Sequence, residues 1–325
     1  MKSTVFNDLN HTYSRQWFRI LFRLQGSVIP GILPRVLLCA GFALTISLLH
    51  YQGWRVSWPV LGTLVPSIVL GLLLVFRTNT AYERFWEGRK LWGTLINTTR
   101  NLARQIWVAI RENSPSDRSN KIRALKLLVA FALAVKLHLR SQRPNGEVAE
   151  LITPRQFEKL QTMNNPPIEI AFWIADYLQT QHDRGLISTY ELTAMTERLD
   201  EMINVLGGCE RILKTPIPLA YSIHLKQLLL LYCLALPFQM VDQLGWWTAL
   251  ISGLISFAVF GIEAIGIEIE NPFGTDPNDL PLDAICCTMW RNMEDLITLA
   301  PGVRCWQVVP EDASAVSLEE SAVNS

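Results

Sequence analysis

Trp58–Phe76 reads WPVLGTLVPSIVLGLLLVF, nineteen residues without a charge, and Arg77–Gly93 follows as RTNTAYERFWEGRKLWG. At about 1.5 Å of rise per residue, an apolar run of this length matches a hydrocarbon core about 30 Å thick. The abrupt change at Arg77 predicts one helix that crosses the interface and continues into a charged, water-facing domain. Working outward, Val36–Tyr51 is a sixteen-residue run without Asp, Glu, Lys or Arg. Gln227–Val241 and Leu244–Ile262 form a second apolar pair, parted by Asp242 and Gln243. The pattern predicts four membrane spans, with Leu33-Pro34-Arg35 and Tyr221–Lys226 completing the shorter ones by snorkelling or tilt.

Half of the 325 residues are hydrophobic and the mean hydropathy is positive, which is high for a soluble chain. Twenty of the twenty-nine Lys and Arg residues lie between Arg77 and Lys214, and the loop after the first span holds only Arg55. The excess of Lys and Arg on one side puts both termini and the central segment in the cytoplasm. Formal net charge is zero, so nothing points to nucleic acid as a partner. The first apolar run begins too far into the chain for a cleavable signal.

These boundaries divide the chain into an interfacial segment (1–35), spans one and two (36–76), a cytoplasmic helical domain (77–220), spans three and four (221–264), a cytoplasmic return (265–306) and a flexible tail (307–325). Trp17, Ile20, Leu21 and Leu24 recur at helical spacing opposite Arg15, Arg19 and Arg23, as in a helix lying on the inner leaflet or docked on the cytoplasmic domain. Apolar periodicity predicts a long helix over 82–112 continuing from the second span. Further helices are expected at 119–141, 154–163, 167–182 and 188–206, the last closing at Gly207-Gly208. No stretch alternates strictly, so the fold class is all-α.

Catalytic chemistry finds little support. His11, His50, His138, His182 and His224 are scattered, with no HExxH pattern, phosphate-binding loop or GxSxG elbow. Cys39, Cys209, Cys233, Cys286, Cys287 and Cys305 form no CxxC pair and read as reduced packing residues. No cofactor is expected. Ile68, Leu72 and Phe76 are spaced i, i+4, i+8, so several copies around an axis would stack three apolar rings, a constriction that controls passage by dewetting. On spacing alone, a stripe facing lipid or protein is the simpler reading.

Arg77–Gly93, together with Glu270–Asp283 (ENPFGTDPNDLPLD), resembles the prokaryotic branch of the bestrophin family. Trp17 through Gly26-Ser27-Val28, and Gly207-Gly208-Cys209-Glu210-Arg211 through Thr215-Pro216-Ile217-Pro218, match the same branch. The resemblance implies a funnel-shaped homopentameric ion channel with four transmembrane helices per subunit and a helical vestibule. Its apolar neck falls on Ile68, Leu72 and Phe76. Its cytoplasmic aperture, counted back without gaps from Gly207, falls on Tyr190, unless a local shift brings Ile187 there. Animal members bind calcium after the Asn-Pro-Phe-Gly segment. Here a thinned set of Asn271, Asp276 and Asp279 makes a weak calcium candidate, and an Asx-turn capping the next helix is the structural alternative. Small monovalent ions are the expected cargo, with chloride or bicarbonate ahead of cations. A non-conducting membrane scaffold is the competing class. Arg77, Arg84, Arg89 and Lys90 could concentrate anions below the neck, or, because Glu83 and Glu87 alternate with them, much of the set is paired on the helix surface or between subunits.

Overall fold

A computed structural model describes residue 23 and residues 26–58 and 64–298. Trp17–Gln25 apart from Arg23, His11, Cys305 and the tail from 307 lie outside the described residues, as does the inner-leaflet helix expected there. Among the described residues the structure is helical throughout. Ten helices follow in order: α1 Ile29–Tyr51, α2 Leu64–Ala109, α3 Pro115–Leu139, α4 Gly146–Ala149, α5 Pro154–Thr162, α6 Pro166–Asp183, α7 Thr189–Lys214, α8 Leu219–Leu244, α9 Trp247–Glu268 and α10 Leu282–Thr298.

Three of these, α1, α8 and α9, are long and apolar enough to cross a membrane. Each is longer than its charge-free run. α1 starts at Ile29 with Pro30 in its first turn, where the missing N–H costs nothing, and carries Pro34 and Arg35 inside it. Trp58 lies outside the helix and donates its N–H to the Phe238 carbonyl at 2.8 Å, and the described part of the helix begins at Leu64. From Leu64 onward α2 runs unbroken for 46 residues, about 69 Å, as the change of composition at Arg77 predicts.

Two clusters hold the molecule together. The smaller joins Ile32, Val36 and Cys39 of α1 to Leu70 and Leu74 of α2, Leu225, Leu229 and Cys233 of α8, and Phe260 of α9. The larger centres on α3, whose Leu125, Leu128, Phe131 and Val135 are completely buried between α2, α6, α7 and α10. The α3 stretch Leu127–Val135 is apolar on every side and must be enclosed in this way. α3 also starts earlier than expected. Ser114 and Asp117 form a capping box and Pro115 occupies the first turn, so the proline that reads as a breaker is a helix start.

α7 does not stop at Gly207-Gly208 but continues to Lys214. The glycines serve packing. A Cβ on Gly208 would lie 3.0 Å from both Leu91 methyl carbons, so its absence lets α7 lie close along α2. Gly88 does the same for the 271–281 loop, where a Cβ would stand 3.1 Å from the Phe273 ring.

Candidate functional site

Helix α2 has two faces in its apolar part. Leu70, Leu74, Arg77 and Ala81 are at most 4% exposed and turn toward the other membrane helices. Ile68, Leu72 and Phe76 are 58%, 53% and 61% exposed. At 100° per residue the two sets lie on opposite sides of the helix, so the subunit packs one face and leaves the predicted neck stripe free. Continued down the same side, the stripe meets Asn79, Glu83, Trp86 and Lys90, all exposed.

The stripe ends at a junction built from charges. Arg77 is 3% exposed, and its guanidinium donates to the Ser222 hydroxyl at 2.9 Å and to Glu270 Oε2 at 3.3 Å. Glu270 Oε1 accepts the Ile217 N–H at 3.1 Å. Arg84 donates to the carbonyls of Glu270 (3.1 Å), Ile212 (2.6 Å) and Thr215. Tyr221 adds a 2.6 Å hydrogen bond to the Leu73 carbonyl. One carboxylate and two guanidiniums therefore fasten the inner end of the neck helix to the 212–218 turn and to the start of the 270–281 loop. A cavity of about 350 Å³ runs from Phe76 along this junction to Pro218.

For Arg77 and Arg84 the paired reading of the basic set holds: both point into the subunit and are bonded there, with Arg77 Nε left without a hydrogen-bond partner, so they do not form a free anion-concentrating ring. Glu87 is paired with Arg211 at 2.6 Å, and Lys90 lies 5.8 Å above the Trp86 ring. Buried guanidiniums need carboxylates or carbonyls to offset their desolvation, and a sequence read in order does not show partners 193 and 128 positions away.

Tyr190, in the first turn of α7, is 89% exposed, whereas Ile187 is 5% exposed and belongs to the cytoplasmic core. Of the two aperture candidates, the tyrosine is the one presented to the outside of the subunit. Leu186, four residues before it, accepts the Arg111 N–H at 3.1 Å just past the far end of α2, so the structure does not bring Tyr190 together with Ile68, Leu72 and Phe76 within one subunit.

Asn271, Asp276 and Asp279 share one loop, and the side chains of Asn271 and Asp279 are occupied in shaping it. Asn271 Oδ1 accepts the Phe273 N–H at 3.4 Å, an Asx-turn, and Asp279 Oδ2 accepts the Asp276 N–H at 2.7 Å. Burial pushes the Asp279 carboxyl above its ordinary range. Asp283, two residues beyond the loop, pairs with Lys136 at 2.7 Å and Arg140 at 3.0 Å. A calcium ion needs six to eight oxygens, and with Asn271 Oδ1 and Asp279 Oδ2 already holding backbone N–H groups, little beyond the Asp276 carboxylate is left, so the set does not fit the ion as it stands. The loop's shown contacts are structural. Asn278 donates to the Gly26 carbonyl at 3.0 Å, and Arg140 donates to the Gly274 carbonyl at the same distance.

Lys136 is the residue that sequence reading missed. It lies 2% exposed in α3, bonded to Glu147 and Asp283 at 2.7 Å each. A lone lysine within an otherwise apolar helical stretch was the available signal. Cys39, Cys209, Cys233 and Cys286 are free and buried, and Cys287 is free and exposed. Burial pushes the Cys209 and Cys286 thiols up to about 12, in keeping with packing.

Residues 9–295 match the family described as Bacterial/Fungal Bestrophin protein. The chain belongs to the bacterial and fungal bestrophins. A voltage-dependent anion channel-forming protein of Nostoc sp. is 62% identical over 290 residues, 89% of this chain and 94% of its relative. The protein of that description from Escherichia coli K12, YneE, is 35% identical over 277 residues, 84% and 88% of the two chains. A crystal structure of a bestrophin homologue from Klebsiella pneumoniae superposes with a TM-score of 0.75 at 30% identity, covering 83% of this chain and all of that one. Bestrophin relatives are thus named as channels, and the all-helical architecture is theirs.

Proposed function

We propose that this bestrophin is a homopentameric channel in the plasma membrane, passing small monovalent anions such as chloride or bicarbonate. α2 is the second of four transmembrane helices and lines the pore, and both termini are cytoplasmic. Ile68, Leu72 and Phe76 form the neck, and Tyr190 forms the cytoplasmic aperture. The single observation that carries this reading is the two-faced α2. Its buried side is fixed by Leu70, Leu74 and an Arg77 held through both Nη atoms, while its other side exposes three apolar side chains in line. Five such stripes around an axis make a water-repelling constriction.

The apparent defect of α2, an apolar helical part of only thirteen residues before Arg77, is removed by the junction. With Arg77 paired and buried, the low-polarity environment extends past the first charge. Anion preference rests on the channel-forming relatives. An apolar neck has no fixed charge with which to exclude cations, and the exposed Glu83 below it is the specific observation that favours a cation-conducting alternative.

The test is the reversal potential of purified protein in a planar bilayer under a chloride gradient. The reading expects a value near the chloride equilibrium potential, and a value near that of the cation contradicts it. In the same recording, Tyr190→Ala should change the permeability ratio of a large to a small anion. An unchanged ratio removes Tyr190 from the aperture.

A further inference from the structure

α1, α8 and α9 each bring one ionisable side chain to the same depth. Arg35 is six residues into α1, Lys226 seven residues into α8, and Glu263 five residues before the end of α9. At helical rise this is roughly 8–11 Å from the respective helix ends. The three line one recess of about 250 Å³, whose remaining walls are Leu38, Leu229, Leu230 and Phe260. We propose that this recess binds the phosphate headgroup of an anionic glycerophospholipid of the inner leaflet, with the start of an acyl chain along Leu38 and Leu230. The choice of leaflet rests on the topology proposed above, while the site itself rests only on α1, α8 and α9 standing in a bilayer.

The argument is one of charge and shape. Ionisable groups inside membrane segments are costly and ordinarily paired. Here two cations line the recess with one carboxylate, so it carries a surplus positive charge. The carboxylate is only loosely held. Glu263 is 1% exposed, its Oε2 lies 3.9 Å from Arg35 Nη1, and its Oε1 has no hydrogen-bond partner. Arg35 is 56% exposed in its side chain and Lys226 is also exposed, so both are free to converge on a phosphate. Leu38 and Leu230 are exposed apolar surface beside the cations, as an amphiphile requires and a free inorganic anion does not. Glu263 then acts as a positioning residue that keeps Arg35 over the recess. Basic recesses between membrane helices on the inner side are a recognised way of holding anionic lipid, at about 1 kcal/mol per Lys or Arg.

The full-length protein in detergent is titrated with phosphatidylglycerol, phosphatidylcholine and inorganic phosphate, and the bound species are counted by native mass spectrometry. Wild type should retain phosphatidylglycerol in preference to the other two. Lys226→Gln should weaken that binding about fivefold and Arg35→Gln/Lys226→Gln about 30-fold. Leu230→Trp, which fills the groove and leaves the charges, should weaken it as well. Equal retention of phosphatidylcholine, equal retention of inorganic phosphate, or a double variant that binds as wild type overturns the proposal. If the double variant fails to assemble, the single exposed change at Lys226 decides alone. A second copy of the chain covering the recess would leave wild type and variants alike, which also overturns it. Ion flux is not read, so failure here leaves the channel reading standing and a failed reversal-potential test leaves this one.

Discussion

Helices α1 and α3 are nearly equal in length, 23 and 25 residues, yet α1 buries six of its residues and α3 sixteen. α3 is the more charged of the two, holding Asp117, Arg118, Lys121, Arg123, Lys126 and Lys136 against a single Arg35 in α1. Apolar content therefore does not track burial within the subunit. In α3 the apolar residues are enclosed by α2, α6, α7 and α10, and that half of the molecule supplies the core. In α1 most of them face outward, where lipid or a neighbouring copy serves as solvent, and hydrophobicity gives little drive to fold one subunit.

The comparison can be broken most readily by truncating one residue from each half. Phe131→Ala removes a completely buried ring from α3 and should cost about 3–5 kcal/mol. Leu37→Ala on the outer face of α1, 61% exposed, should stay within about 0.5 kcal/mol. Thermal unfolding in detergent, followed by circular dichroism, separates the two, and equal losses would refute the division of labour. Glycines give a smaller contrast of the same kind. Gly208→Val must push against Leu91 at 3.0 Å and should destabilise by about 1–3 kcal/mol, whereas Gly71 in the membrane part of α2 meets nothing within 4 Å, so Gly71→Ala should melt at or above wild type.

The smallest effect concerns pH. Arg184, 2.7 Å away, together with the N–H groups of Asn113 and Ser114, holds the Asp117 carboxyl down to about 2 from its ordinary 3.8. A folded-state value below the unfolded one means the stabilisation is present above about pH 4 and is lost as pH falls toward 2. Asp117→Asn should flatten this part of the stability profile and leave α1, α8 and α9 unaffected. A profile of unchanged steepness would assign the acid sensitivity to other groups.

The fold was legible where one helix contains its own signal. The periodicity over 82–112 and the helix starts expected at Pro154 and Pro167, the second one residue inside the observed start at Pro166, all lie within a few residues of what they specify. What was illegible depends on partners remote in the chain. Gly207-Gly208 reads as a stop until Leu91 is seen beside it, and Arg77 reads as the membrane exit until Glu270 and Ser222 are seen on its guanidinium. The neck triplet is intermediate: spacing puts Ile68, Leu72 and Phe76 on one face, but only the packing of Leu70 and Leu74 shows that this face points away from the subunit.

That free face is the centre of the account, and its most direct test is current through the channel when the three side chains are cut back. Ile68→Ala, Leu72→Ala and Phe76→Ala combined should leave assembly and melting close to wild type, because all three are more than half exposed. In planar bilayers the triple variant should conduct more, or stay open longer, as the widened neck admits water. Unchanged flux from a correctly assembled triple variant would contradict the assignment and place the stripe against lipid or protein instead.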